Sequence, residues 1–260
     1  MKKKRITKYT LISVLAITIF LLAWYLATDV FHVTSTNSMP SPVKVIRTFI
    51  VKFYDPNPDG ATMLQNLGAS LQVALSGYSF GLIAGIPLGI AMAWYAKFDW
   101  FARPLFDIIR PIPGIAWIPV MISLFGIGLF SKAMVIFLSS FTACLISAYS
   151  GIKQTKDVHL WVGQTFGASN WQLLTKIAIP TAIPMILTGM RVALAASWGA
   201  LIAAELLAST RGLGFMIQQA RGVLRPDVII AGMIAIGLVG AFLTYVLTRV
   251  EKMFRKGGRW

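Results

Sequence analysis

The sequence predicts an all-α, polytopic integral membrane protein with six transmembrane helices. Three observations carry that prediction. Hydrophobic residues fill 57% of the 260 positions and charged residues only 13%, against about 25% charged in an ordinary soluble domain. Apolar runs at about 10–28, 67–96, 104–128, 132–152, 183–206 and 228–250 each come close to or exceed the roughly 20 residues that cross a bilayer as a helix. The charge, 24 basic against 9 acidic residues for a net +15, falls mainly between those runs. A basic balance placed there reads as a positive-inside bias and contact with anionic lipid, not as a nucleic-acid surface.

The first run follows Lys2, Lys3, Lys4, Arg5 and Lys8. Such a start opens either a cleaved signal peptide or a retained anchor. The text after it lacks a small-x-small cleavage site, so it reads as a signal-anchor helix. Residues 1–63 are then the anchor with an extracytoplasmic loop, 64–250 the transmembrane domain, and 251–260 a basic cytoplasmic tail carrying Lys252, Arg255, Lys256 and Arg259. Basic residues at both ends imply an even number of crossings and cytoplasmic termini. Between the first two runs, Lys44 to Tyr54 has the pattern of a short interfacial helix, and Asp55-Pro56-Asn57-Pro58-Asp59-Gly60 is a turn.

The second run carries Gly77, Gly81, Gly85 and Gly89 at a strict four-residue spacing. Glycine is common in membrane helices, but this register lines one face and reads as a close packing seam. Pro87 on the same run suggests a kink. The third run contains Arg110-Pro111-Ile112-Pro113-Gly114 and Pro119. No straight helix survives that, and irregular backbone at membrane depth is tolerated only when buried in protein or lining a cavity. Residues 110–119 are therefore a pathway candidate; a kink without solute contact is the other reading. Cys144, the sole cysteine, reads as a small buried hydrophobe on the fourth run.

The stretch between the fourth and fifth runs, 153–182, is the most informative. Thr155 to Phe166 can form a helix with Asp157 at its positive end and Gly167 as its C-terminal cap. Ser169 and Gln172 form a capping-box pattern, so a second helix starts near Asn170. Trp171, Leu174 and Ala178 recur at helical spacing, with Leu173 and Ile177 beside them. Pro180 and Pro184 are expected to stop that helix before the next span. The loop is thus helix, glycine, helix, with Trp171 and Leu174 expected at its surface. A loop that merely links two spans has no reason to carry them; one that docks into another protein does.

The fifth run holds Arg191 about eight residues in, roughly 12 Å deep at 1.5 Å per residue. Arg191 either snorkels to the cytoplasmic surface or faces the bundle interior, pairing with a carboxylate or presenting charge to an anion. Glu205 lies at the other end of the same run, expected to hold the outer loop through Arg211, Arg221 or Arg225. Residues 209–222 read as an outer loop with a short helix, in which Gly212 and Gly214 permit a tight turn. This segment is a gate or a plain re-entrant packing element.

The spacing from Gly167 to Ile177-Ala178-Ile179-Pro180 resembles the "EAA" loop of permease subunits from bacterial binding-protein-dependent ABC importers. Gly189-Met190-Arg191, Trp198, Ala204-Glu205 and Arg211-Gly212-Leu213-Gly214 resemble the nitrate/sulfonate/taurine branch. Arg110-Pro111-Ile112-Pro113, Ile118-Pro119 and Pro40-Ser41-Pro42 fit the same pattern, so the resemblance covers about 40–250. The acidic position that names the motif is Trp161 here, which departs from the loop's usual polar contact. The resemblance implies the MetI-like transmembrane domain of a type I ABC importer. Phe166, Gly167, Ala168, Ser169, Trp171, Leu174, Ile177 and Pro180 would couple to the ATPase. Arg110, Pro111, Pro113, Pro119, Arg191, Glu205, Gly212 and Gly214 would belong to the translocation pathway or its gate.

The chain has no Gly-x-x-x-x-Gly-Lys-Ser/Thr phosphate loop, so it is expected not to be an enzyme: ATP and magnesium would be bound by a partner ATPase, and this chain would carry no cofactor or catalytic residue. His32 and His159 lack the spacing of a metal site. The implied partners are a second copy of the permease in a homodimer, two ABC ATPases, an extracytoplasmic solute-binding protein and the lipid bilayer, with no nucleic acid. The solute implied is a small anion such as a sulfonate or nitrate, carried across a bacterial inner membrane. A self-contained secondary transporter or channel is the alternative; it would be expected to show inverted repeats or several intramembrane carboxylates, and neither is visible. A membrane enzyme comes third.

Overall fold

The protein is described by a computed structural model over residues 2–31 and 39–257, with side chains from 9 to 31 and from 39 to 253. His32 and Arg259, and the basic side chains of Lys2 to Lys8, Arg255 and Lys256, lie outside the described part. Among the described residues every regular element is helical: α1 (Lys2–Tyr25), α2 (Pro42–Val51), α3 (Met63–Trp94), α4 (Ala96–Ile109), α5 (Ile118–Phe125), α6 (Leu129–Lys153), α7 (Asp157–Thr165), α8 (Asn170–Leu173), α9 (Ile179–Leu207), α10 (Leu213–Gly222) and α11 (Pro226–Gly257). Five of the helical stretches are long and apolar enough to span a membrane, six if the pair Ala96–Ile109 and Gly114–Phe125 counts as one broken span. That pair is bent by 81°. The break falls where Pro111 and Pro113 remove two backbone donors within three residues, and a single 3-10 turn, Gly114–Trp117, resumes the chain.

The chain divides into two compact units, one of Met1–Asn66 with Met216–Ala235 and one of Leu67–Phe215 with Ile236–Trp260. In the first unit, α1 continues through a π-turn at Leu26–Val30, and its apolar side chains are exposed all round, as a helix bathed in lipid requires. Ser41 caps α2, its hydroxyl accepting from the Lys44 N–H at 3.3 Å. The expected turn after α2 is built around Lys52, whose ammonium is buried and donates to Asp59 at 2.6 Å and to the Asn57 and Ala61 carbonyls at 2.8 Å each. All three of its protons are thereby used, which is what makes a buried lysine tolerable. The Asn57 N–H, 3.0 Å from Asp55 Oδ1, holds that carboxyl below the ordinary carboxylate range.

In the second unit, the four glycines of α3 form the expected seam against α6. A Cβ at Gly77 would lie 2.5 Å from the Ala133 carbonyl, at Gly81 1.9 Å from Ser140 Oγ, at Gly85 2.7 Å from the Phe141 carbonyl, and at Gly89 2.5 Å from the Leu145 carbonyl. Only hydrogen fits at these four positions. The facing residues of α6, Ser140, Cys144 and Ala148, are small and buried, so backbone meets backbone. On its other side α6 packs along α9, where Gly189 faces Ser147 and Gly151 faces Ala182. Ala148, Ile152, Leu174, Ala178, Ala182 and Ile186 bury together as one core, and Ile118, Met121, Val135, Ala200 and Ala204 as another.

Two expectations are corrected here. Pro180 and Pro184 do not stop the helix that begins at Asn170: it runs on as one 38-residue helical stretch to Leu207. A π-turn at Leu174–Ala178, closed by the Ile179 N–H on the Leu174 carbonyl, inserts one residue just where the Pro180 ring would meet the preceding turn. And Leu174 is not on the surface; it is 3% exposed and belongs to the core.

Candidate functional site

The break in the third span opens a cavity of about 460 Å³. Its walls come from the break itself, from α6 through Ser139 and Thr142, and from α9 through Ala195, Ala196 and Gly199. Arg110 and Pro113 line it, and Arg110 is the sole ionisable side chain among the lining residues. Pro111 and Pro119 shape the break without lining the cavity. Apart from Arg110, Ser139 and Thr142 the walls are apolar, with small residues on α9 that keep the space open.

Arg110 also borders a second, smaller cavity of about 180 Å³ that holds Asp99, Arg103 and Tyr149. Arg103 donates to Asp99 Oδ2 through Nη2 at 2.6 Å and Nε at 3.2 Å. Tyr149 hydrogen-bonds to both Arg103 and Asp99, and Lys153 lies over its ring at 5.9 Å. This cluster ties α4 to α6 beside the cavity. It was missed in the sequence, although Asp99 and Arg103 stand four apart, the spacing at which opposite charges meet on a helix.

Arg191 does not line either cavity. Of its two readings the structure shows the paired one: its guanidinium meets Glu251 Oε2 on α11 at 2.6 Å. Glu205 is 1% exposed, and its partners are not arginines. It accepts from Ser70 Oγ at 2.8 and 2.9 Å and from the Gly214 N–H at 2.9 Å, while the Leu213 N–H donates to the same Ser70 Oγ at 2.9 Å. A buried carboxylate finds backbone donors more readily than a long side chain that must itself be desolvated. Gly212 (φ +133°) is essential to this turn, because a Cβ there would fall 2.3 Å from the Glu205 carboxyl. Glu205, Gly212 and Gly214 thus form one clamp, apart from Arg110 and Arg191.

The loop after α6 has the expected form. Gly167 sits at φ +77°, which favours glycine, and both halves of the capping box are present, Ser169 N to Gln172 Oε1 at 2.8 Å and Gln172 N to Ser169 Oγ at 3.4 Å. Phe166 is 86% and Trp171 65% exposed, and Val158, Trp161 and Val162 of α7 are exposed as well. Leu173 and Leu174 are buried. Gly163 brings α7 onto them, since a Cβ there would stand 2.6 Å from Leu173 Cδ2 and 2.8 Å from Ile177 Cδ1. Ile177 therefore supports the loop from within, Ala168 is half-buried, and Pro180 lies inside the continuous helix.

Residues 85–259 match the family model described as binding-protein-dependent transport system inner membrane component. The chain is 33% identical to the taurine transport system permease protein of Escherichia coli over 95% of this chain and 90% of that one. It is 30% identical to the nitrate import permease protein of a Synechocystis strain over 92% and 86%. An inward-facing structure of the MetNI methionine ABC transporter superposes with a TM-score of 0.65 at 16% identity, covering 74% of this chain and 95% of that one.

Proposed function

The chain belongs to the binding-protein-dependent transport system inner membrane component family, and from that premise we propose how its parts divide the work of import. It is a multi-pass membrane protein and the transport subunit of an ABC importer, in a family whose ATPase is a separate protein. Two copies of the chain surround a central pathway, with two ATPases below and a solute-binding protein above. The termini and residues 153–182 face the cytoplasm. ATP and magnesium bind to the ATPase subunits.

The observation that carries this reading is the loop of α7 and α8. Phe166, Trp161 and Trp171 stand exposed on an element whose inner side is fixed by Gly163, Leu173 and Leu174. An exposed apolar surface on a rigid support is what a docking contact needs. Because α8 runs through the π-turn into α9, and α9 walls the cavity, closure of the ATPase pair would be delivered directly to the pathway as a shift between two states. Arg110 and Pro113 belong to that pathway; the Glu205, Gly212 and Gly214 clamp holds its outer gate in register; Arg191 braces α9 against α11.

The solute is a small anion of the sulfonate or nitrate kind. Arg110 is the sole charge on the cavity wall, and relatives carry the names of taurine and nitrate systems. The test is co-purification of the ATPase with a variant carrying Gly167→Asp and Trp171→Ala. The ATPase should be lost while the permease stays in the membrane; an ATPase that still binds normally overturns the docking assignment.

A further inference from the structure

Within the unit formed by Met1–Asn66 and Met216–Ala235, α2 has two stripes that the import reading leaves unused. Val43, Ile46 and Ile50 recur at helical spacing and are 57–60% exposed, and Tyr54, just past the helix, is 83% exposed. Lys44 and Arg47, one turn apart and also exposed, stand on the neighbouring face. They border a basin of about 360 Å³ whose floor carries Arg225 and Asp227, a volume within the range of small-ligand clefts.

Two carboxylates lie in the lining, Asp55 and Asp227, against Lys44, Arg47, Lys52 and Arg225, and Asp55 accepts from the Asn57 N–H and side-chain amide. Arg225 holds Asp227 through two hydrogen bonds, Nε to Oδ1 at 3.0 Å and Nη2 to Oδ2 at 2.8 Å, and Thr48 Oγ1 donates to Asp227 Oδ2 at 2.9 Å. Lys52, at the edge, spends its three protons on Asp59 and two carbonyls. Lys44 and Arg47 differ: among the described residues no carboxylate lies within ion-pair distance of either. The basin therefore keeps an excess of basic groups, with Lys44 and Arg47 outside any ion pair although Lys44 acts on Asp227 at longer range, directly beside an exposed apolar stripe.

We propose that this basin binds the phosphate of an anionic glycerophospholipid, with Lys44 and Arg47 on the phosphate and Val43, Ile46 and Ile50 along the acyl chains. A helix with basic and apolar stripes side by side lies in the membrane interface, where both stripes are used at once. A free phosphate ester would use the cations alone and leave the apolar stripe in water; a soluble partner's carboxylate would do the same. In the orientation proposed above the lipid belongs to the outer leaflet, and the leaflet alone rests on that reading. Binding itself does not, so the test is run in detergent, where orientation has no effect.

The full chain, purified in detergent with its ATPase, is titrated with dioleoyl phosphatidylglycerol, dioleoyl phosphatidylcholine and glycerol 3-phosphate, and bound lipid is counted by native mass spectrometry. Phosphatidylglycerol should bind in preference to phosphatidylcholine, and Lys44→Gln with Arg47→Gln should weaken it roughly 25-fold, taking about fivefold for each basic side chain at a membrane surface. Lys44→Arg with Arg47→Lys should retain it, and Ile46→Ser with Ile50→Ser should weaken it with both charges in place. Equal binding of the two lipids, no effect of the glutamine pair, or glycerol 3-phosphate competing as well as the lipid would overturn the proposal. So would a photo-crosslinker at position 46 that captures a second copy of the chain or a soluble binding protein in native membranes instead of lipid.

Discussion

The Gly214 N–H donates to the buried Glu205 carboxylate across 2.9 Å. Together with Ser70 it converts one acid at the end of α9 into the fixed point of the following turn. Glu205→Ala leaves the Gly214 N–H and the Ser70 hydroxyl without their acceptor, at about 1–3 kcal/mol for each buried unpaired group. A clear fall in the melting temperature of the detergent-solubilised complex is expected, with Glu205→Gln falling less. A Glu205→Ala protein that melts like the parent contradicts the clamp.

Phe166 and Leu174 are expected to fail differently. Phe166→Ala removes an exposed side chain and should change stability by less than about 0.5 kcal/mol, while weakening ATPase co-purification. Leu174→Ala empties a core position and should cost about 2–5 kcal/mol. Melting curves and pull-downs on the same two variants separate them; matching behaviour in both assays would mean that outer and inner surfaces of the loop have been misassigned.

Gly81→Ala should lower the folded yield, because its Cβ would sit 1.9 Å from Ser140 Oγ and 2.7 Å from Ser140 Cβ. Ser140→Gly should restore much of it, since the two residues share one contact and their effects cannot add. Gly68→Ala, with nothing within 4 Å, is the neutral control. Size-exclusion profiles report all three.

Arg191→Gln and Glu251→Gln should each lower uptake with the complex still assembled, and the double variant should be no worse than either, because both break one ion pair of 2.6 Å. The reversed pair, Arg191→Glu with Glu251→Arg, should recover part of the loss. Uptake in reconstituted vesicles decides it: unchanged transport in Arg191→Gln removes the brace from the mechanism.

The spans, the glycine seam and the capped loop were legible because each rests on local chemistry. A four-residue glycine repeat has one geometric meaning on a helix, and a serine three residues before a glutamine has a preferred one at a helix start. What could not be read depended on which partner a side chain would meet. Leu174 follows the same helical spacing as Trp171, yet the π-turn at 174–178 and α6 draw it inward. Arg191 had two physically sound destinations until Glu251, sixty positions away, was placed beside it. Glu205 was matched to arginines because charge is visible in a sequence, whereas backbone N–H groups presented by a glycine turn are not. The prolines misled for a related reason: their ban on regular helix holds, but one inserted residue satisfies it without ending the helix.

That inserted residue has a mechanical meaning. From Asn170 to Leu207 the backbone is a single rod, roughly 57 Å long at 1.5 Å per residue, with its exposed tryptophan at one end and the cavity wall well along its length. Such a rod transmits twist as well as push. Its phase is set at Leu174–Ala178, where one residue more or fewer would spin Trp171 by about 100° relative to Gly199. An ATPase docked at Trp171 and the cavity wall at Gly199 would stay in step only while that one wide turn keeps its count.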